Sequence, residues 1–119
     1  MEFDSNRPIY LQICDSIYDR LLSGELQPGG RIPSVRELGA DIGVNPNTVM
    51  RSYEKLTEAG IIFNKRGIGY FISDGAREIV LRNQREDFIR NEVPKILKRM
   101  SLLGLSPKDV FGDISVNKT

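Results

Sequence analysis

The sequence predicts a mainly helical fold carrying one small β-hairpin, and three observations lead to it. Between Arg31 and Ala59 two short helical patterns follow each other across a tight turn, each opened by its own capping signal. Directly after them, the runs Ile61 to Asn64 and Tyr70 to Ser73 bracket a glycine-bearing loop. Beyond Ser73 the apolar residues return at helical spacing. Two helices joined by a tight turn and backed by a hairpin form the layout of a winged helix-turn-helix, a module that lays one helix in the major groove of DNA. The expected fold is therefore a winged helix-turn-helix over residues 7–73, followed by a helical, dimerising tail over residues 74–119.

Residues 1–6 are polar and are expected to be loose. Pro8 opens a helix to about Ser23, with Ile9, Ile13, Ile17 and Leu21 on one line and Tyr10, Cys14, Tyr18 and Leu22 beside it. A stripe that broad implies burial against two neighbours rather than a coiled-coil seam. Gly24 ends this helix, Pro28-Gly29-Gly30 forms a turn, and Arg31-Ile32 adds a short strand beside the hairpin. Ser34 followed three residues later by Glu37 is a capping box, so the next helix begins at Val35. Its apolar positions are Val35, Leu38 and Ile42, and Gly43 closes it as a left-handed C-cap residue does. Asn45 and Pro46 then repeat the start signal, with a side-chain acceptor at the N-cap and proline at the first helical position. This second helix runs to about Ala59, where Gly60 stops it.

The two faces of that second helix carry the functional question. At 100° per residue Val49, Tyr53 and Leu56 fall within roughly 60° of one another and form a buried stripe. Asn47, Arg51, Glu54 and Glu58 face away, flanked by Thr48 and Lys55 on one edge and Met50 on the other. Short polar groups near the N-terminus, with an arginine one turn later, match what base-edge and phosphate contact requires. Asn pairs bidentately with adenine, Arg with guanine, and Thr reaches a phosphate or a base. Any surface helix turns polar residues outward, so the capped pair and the hairpin behind it are what favour DNA.

In the hairpin, Lys65-Arg66-Gly67-Ile68-Gly69 is expected as the loop. Its glycines permit positive φ and close backbone approach to a phosphate, and Lys65 and Arg66 put charge at the tip. The Gly-x-Gly is no nucleotide loop, because no helix follows it directly. Asp74 serves as an N-cap for a long helix from about Gly75. Ile79, Phe88, Ile89, Val93, Ile96, Leu97, Met100 and Leu103 form its apolar series, and Pro94 inside the pattern should kink it. Gly104 ends it, Ser106-Pro107 with Asp109 opens one more short helix, and Gly112 to Thr119 is expected to fray. These apolar residues exceed what a lone helix hides against so small a domain, which points to packing against a second copy.

Composition narrows the function classes. The 119 residues are 39% hydrophobic and 28% charged, ordinary for a globular chain, with a formal net charge of +1. Residues 34–73 carry 5 basic and 4 acidic groups, so affinity for nucleic acid must rest on a few placed cations. The single cysteine, Cys14, excludes an internal disulfide, fits a cytoplasmic setting, and sits where a small buried hydrophobe belongs. There is no histidine, and no nucleophile–base pair, metal cluster or carboxylate dyad at a usable spacing, so neither an enzyme nor a bound metal or cofactor is expected. No apolar run approaches the roughly 18 residues of a membrane span, and no N-terminal signal pattern is present.

Over residues 7 to 73 the chain resembles the DNA-binding domain of the GntR family of bacterial transcription regulators. The matching residues are Pro8-Ile9-Tyr10-Leu11-Gln12-Ile13, Ser23-Gly24-Glu25-Leu26, Pro28-Gly29 and Ile32-Pro33-Ser34. They continue through Arg36-Glu37-Leu38, Gly43-Val44-Asn45-Pro46-Asn47-Thr48-Val49, Gly60 and Arg66-Gly67-Ile68-Gly69. The Val-Asn-Pro-Asn-Thr-Val spelling and the short tail are most similar to the YtrA subfamily. Fatty-acid-responsive members place arginines where this chain has Pro46 and Met50.

The resemblance implies that Arg36, Asn47, Thr48, Arg51 and Gly67 sit where the family contacts DNA, with Lys65 and Arg66 at the wing. Adding Asn45 and Lys55 from the outward helix completes the expected DNA-facing set. The function implied is a sequence-specific DNA-binding regulator, a homodimeric repressor on an inverted repeat. A winged-helix module that binds protein instead of DNA is the alternative, since the fold alone does not dictate nucleic acid. Residues 74–119 are expected to be too few to enclose a metabolite pocket of roughly 300–1,000 Å³. A response to a small molecule would have to use the dimer interface or the hinge at Pro94, and the residues name no effector.

Overall fold

The computed structural model describes residues 2–112. In chain order its elements are α1 (Ile9–Leu22), β1 (Arg31–Ile32), α2 (Val35–Ile42), α3 (Pro46–Glu58), β2 (Ile62–Lys65) and β3 (Gly69–Ile72). There follow α4 (Ala76–Asp87), a π-helical stretch (Phe88–Glu92), α5 (Val93–Leu102) and α6 (Pro107–Phe111). They fall into two compact units, Met1–Arg82 and Asn83–Thr119. The fraying expected at the C-terminal end concerns residues 113–119, which lie outside the described residues.

The first unit is a winged helix-turn-helix, and local chemistry sets its element ends. The Ser34 side chain accepts from the Glu37 amide at 3.1 Å while Glu37 Oε1 accepts from the Ser34 amide at 2.8 Å, the reciprocal capping box that starts α2. Gly43, at φ 69°, closes α2 in the left-handed conformation. Asn45 Oδ1 accepts from the Asn47 amide at 2.8 Å, and Pro46 opens α3. The turn between the helices is tight at a residue that carries no sequence signal. A Cβ added at the buried Gly39 would lie 2.6 Å from the Val44 carbonyl oxygen, so only glycine fits there.

α3 is the central element, packed against both α1 and α2. Its Val49, Tyr53 and Leu56 are fully buried, as their spacing predicts, and meet Ile13, Ile17 and Leu21 of α1 in one core. Ser52 is also fully buried, which the stripe does not anticipate. Its hydroxyl donates to the Tyr10 carbonyl at 2.7 Å, and the Cys14 thiol donates weakly to the Ser52 carbonyl at 3.7 Å. Small polar side chains thus let α1 and α3 approach closely without leaving a buried group unpaired. Burial pushes the Cys14 thiol up from its ordinary value, in keeping with a packed rather than a reactive cysteine.

The three strands form one antiparallel sheet in the order β1-β3-β2. Arg31 pairs with Phe71 and Ile32 with Tyr70, while Phe63 pairs with Phe71 and Lys65 with Gly69. Alternation sends Ile32, Ile62, Tyr70 and Ile72 toward the core and leaves Arg31, Phe63, Lys65 and Phe71 on the outer face. Relative to the sequence expectation both hairpin strands shift by one residue. Ile61 donates its amide to Leu56 at the exit of α3, and Ile68 donates to the Lys65 carbonyl at 2.8 Å. Lys65 and Gly69 are therefore paired strand residues, and the loop shrinks to Arg66-Gly67-Ile68.

The structure departs from expectation at three further points. The N-terminal segment is tethered: Gln12 bonds to both the amide and the carbonyl of Asp4, Arg7 pairs with Asp15 at 2.9 Å, and Phe3 packs on the core. Asp74 is not the N-cap of α4, because Gly75, at φ 77°, stands between it and Ala76. Ala76 and Val80 are buried in the first unit's core, so that unit continues past the wing to Arg82.

In α4 and beyond, the break expected at Pro94 is taken up one turn earlier. Val93 donates to the carbonyl of Phe88, five residues back, and Pro94 sits in the first turn of α5. Proline lacks the N–H for an interior bond and its ring crowds the carbonyl four residues back, so the preceding turn widens. Met100 is buried, but Phe88, Ile89, Ile96, Leu97, Leu102 and Leu103 are between 45% and 71% exposed. Gly104 ends α5 at φ 73°, and a second capping box, Ser106 with Asp109, starts α6.

Candidate nucleic-acid interface

Burying Val49, Ser52, Tyr53 and Leu56 fixes the rotation of α3 about its axis. It turns Asn47, Arg51, Glu54, Lys55 and Glu58 to solvent and leaves Thr48 half-buried at the edge. Asn45 is exposed at the N-cap with one side-chain oxygen already engaged by the Asn47 amide. Arg36 is exposed in the first turn of α2, on the other side of the tight turn.

Arg51 and Lys55 line one open depression together with Tyr10 of α1, Met50 and Glu54 of α3, and Asn64 and Tyr70 of the wing strands. The outward face of α3 and the base of the wing are thereby one continuous surface. Arg36, Asn45, Asn47 and Thr48 do not line that depression; they belong to the N-terminal ends of α2 and α3. At the wing, Gly67 holds φ 80° and Arg66 is exposed beside it. Lys65 Nζ lies 5.6 Å from the centroid of the Phe71 ring, which stacks on Phe63 at 5.8 Å.

The charges are arranged to remain available. Three ion pairs occur among the described residues: Arg7–Asp15, Arg20–Glu25 and Arg31–Glu37, the last at 3.9 Å. Arg36, Arg51, Lys55, Lys65 and Arg66 take part in none of them. Glu37 is held below the usual carboxylate range chiefly by the Ser34 amide, then by the Ser34 hydroxyl, with Arg31 adding a smaller pull. This acidic group at the mouth of α2 is committed to capping the helix.

Two groups at this surface escape a reading of the sequence. Tyr10 belongs to the apolar stripe of α1 by spacing, yet its ring lies under Arg51, with the guanidinium carbon 3.9 Å from the centroid. Tyr70 meets Tyr53 edge-on at 4.9 Å and points its hydroxyl at the Met50 sulfur at 4.0 Å. No local pattern marks either contact, since each joins elements far apart in the chain.

A family model described as bacterial regulatory proteins, gntR family, matches residues 9–72, the span from α1 through β3. The chain belongs to the GntR family. It is 38% identical over 113 residues to the HTH-type transcriptional regulator YhcF of Bacillus subtilis, covering 95% of this chain and 92% of that one. It is 41% identical over 80 residues to the HTH-type transcriptional repressor YtrA of the same organism, covering 67% of this chain and 62% of that one. The resemblance to the YtrA-like members of the GntR family therefore holds.

Among solved structures, a transcriptional regulator of the GntR family from Bacteroides thetaiotaomicron is 45% identical, with a TM-score of 0.71 over 86% of this chain and 88% of that one. AraR(DBD) in complex with operator ORR3 is 27% identical, with a TM-score of 0.54 over 61% of this chain and 86% of that one. Among the described residues no helix is long and apolar enough to cross a membrane.

Proposed function

We propose that this GntR-family chain is a sequence-specific DNA-binding repressor that acts as a homodimer on an inverted repeat and blocks polymerase there. The outward face of α3 carries the proposal: Arg51 and Lys55 are exposed, free of carboxylate partners among the described residues, and joined to the wing by one surface. Arg36, Asn47, Thr48 and Arg51 contact base edges or phosphates in the major groove, helped by Asn45 and Lys55. Lys65, Arg66 and Gly67 grip phosphate at the wing. The operator-bound AraR domain and the repressor YtrA among the relatives support this reading.

The dimer forms through the helices that follow the wing. The first turns of α4 serve the core of the DNA-binding unit, and the interface lies beyond Arg82, where Phe88, Ile89, Ile96 and Leu97 are exposed in the single chain. Selection of bound fragments from random or genomic DNA tests the proposal, and a two-fold symmetric consensus is the expected result. Against that consensus, Arg51→Ala weakens binding by roughly 1–3 kcal/mol and relaxes preference at one base pair per half-site. Lys65→Ala weakens binding to all sequences alike and shallows the salt dependence by about one unit. If both variants fold and bind as the parent does, the groove assignment is wrong.

A further inference from the structure

Resting on that DNA reading, we infer that Tyr10, a residue of α1 outside the DNA-facing set, is a positioning residue for base readout that holds the Arg51 guanidinium ready for a guanine. Arg51 is exposed, and a long, solvated arginine on a helix has a ready competing partner in Glu54, three residues on and lining the same depression. The structure does not show that pairing. The guanidinium lies 3.9 Å over the Tyr10 ring, and among the described residues no carboxylate oxygen is within 4.0 Å of it. A cation–π contact of this kind consumes none of the donors that a bidentate bond to guanine needs.

The backbone that carries the ring is anchored relative to Arg51. The hydroxyl of Ser52, the next residue along α3, donates to the Tyr10 carbonyl at 2.7 Å and is fully buried. That bond pins the backbone of Tyr10 to the turn that carries Arg51, so the ring and the guanidinium start from backbone positions fixed relative to each other. Tyr10 thus lowers the ordering that Arg51 must undergo on meeting a base, which is how preorganisation sharpens both affinity and discrimination.

The test uses the full chain and a duplex selected by it from random DNA, with a scrambled duplex as the second probe. Tyr10→Leu should weaken binding to the selected duplex by about five- to thirtyfold, two such contacts being lost per dimer. Binding to the scrambled duplex should change by less than about twofold, since phosphate contacts govern it. Selection repeated with Tyr10→Leu should relax the same base pair as Arg51→Ala does, and Tyr10→Leu should add nothing in the Arg51→Ala background. Tyr10→Phe keeps the ring and should bind as the parent chain. Arg51→Lys, at an exposed site where folding is not at stake, keeps the charge without the planar fork and should relax that same position.

Tyr10→Leu binding like the parent, or a loss that adds in full to that of Arg51→Ala, overturns the positioning role and leaves the DNA reading standing. If Tyr10→Leu loses helical content, Tyr10→Gln at this partly exposed position decides: relaxed preference at the base pair that Arg51→Ala relaxes supports the role, and unchanged preference overturns it. A parent chain that enriches no sequence overturns the DNA reading itself, and the role of Tyr10 with it.

Discussion

The Tyr53 hydroxyl donates to the Pro33 carbonyl at 2.7 Å from a ring that is fully buried between helices and wing. Burial, and then the neighbouring Tyr70, push its ionisation well above the ordinary tyrosine value. Tyr18 is pushed up to about 12, again mainly by burial. The neutral phenols are favoured in the fold, so their contribution to stability is complete below the unfolded value of about 10 and is lost as pH rises beyond it. Denaturant midpoints should therefore stay level from about pH 7 to 8 and fall between about pH 9 and 12, the buried Cys14 thiol adding to the first part of that fall. Tyr53→Phe should lower the plateau by roughly 1–3 kcal/mol, because the Pro33 carbonyl loses its donor, while making the alkaline fall shallower. Equal alkaline slopes in the two chains would contradict this account of Tyr53.

At the scale of elements, the helix-turn-helix is held together by what is missing at Gly39. Helix propensity alone says that alanine at an interior helical position is better than glycine by about 1 kcal/mol. The geometry says the opposite, because the added carbon would sit 2.6 Å from the backbone oxygen of Val44, which has no flexible end to move aside. The turn cannot open without rotating α3 and exposing part of its buried stripe. The steric effect wins, and Gly39→Ala should destabilise the domain by roughly 1–3 kcal/mol. That corresponds to a melting temperature lower by about 4–8 °C per kcal/mol for a domain of this size. A melting temperature equal to or above that of the parent would show that the turn has slack.

For the whole molecule, the expected division after Ser73 would cut through a core. Ala76 and Val80 are buried among residues of the first unit, so a chain ending at Ser73 should be unstable and one ending at Arg82 should fold. If the exposed apolar residues of the π-helical stretch and α5 form the dimer interface, the chain ending at Arg82 sediments as a monomer. Ile89→Glu in the full chain tests the same point without deletion, since Ile89 is 68% exposed and contributes little to its own chain's packing. That variant should keep its helical content, become monomeric, and lose roughly 10²–10⁴ of its apparent affinity for a two-fold symmetric site. A dimer that survives both changes places the interface elsewhere.

What could be read in advance is what short-range chemistry decides. A capping box closes over three residues, so Ser34 and Glu37 announce the start of α2 wherever the rest of the chain lies. Gly43, Asn45 and Pro46 define the turn in the same local way, and a helical period of 3.6 is enough to assign Val49, Tyr53 and Leu56 to the core. The outward face of α3 follows from that assignment, which is why the exposed positions of Asn47, Arg51 and Lys55 are legible in the sequence.

Other features depend on which faces meet, and no window along the chain contains both partners. The Ser52–Tyr10 bond spans 42 residues, Tyr10 and Arg51 touch only because α1 crosses α3 there, and Gly39 is indispensable only because Val44 folds back over it. Ala76 looks like the start of a separate tail, yet in the fold it is fully buried among the residues of the first unit's core. Local hydrogen bonding therefore determined where each element begins and faces. Packing decided how closely the elements approach and which side chains they hold in place, because those distances follow from complementarity between surfaces that the chain brings together only once it has folded.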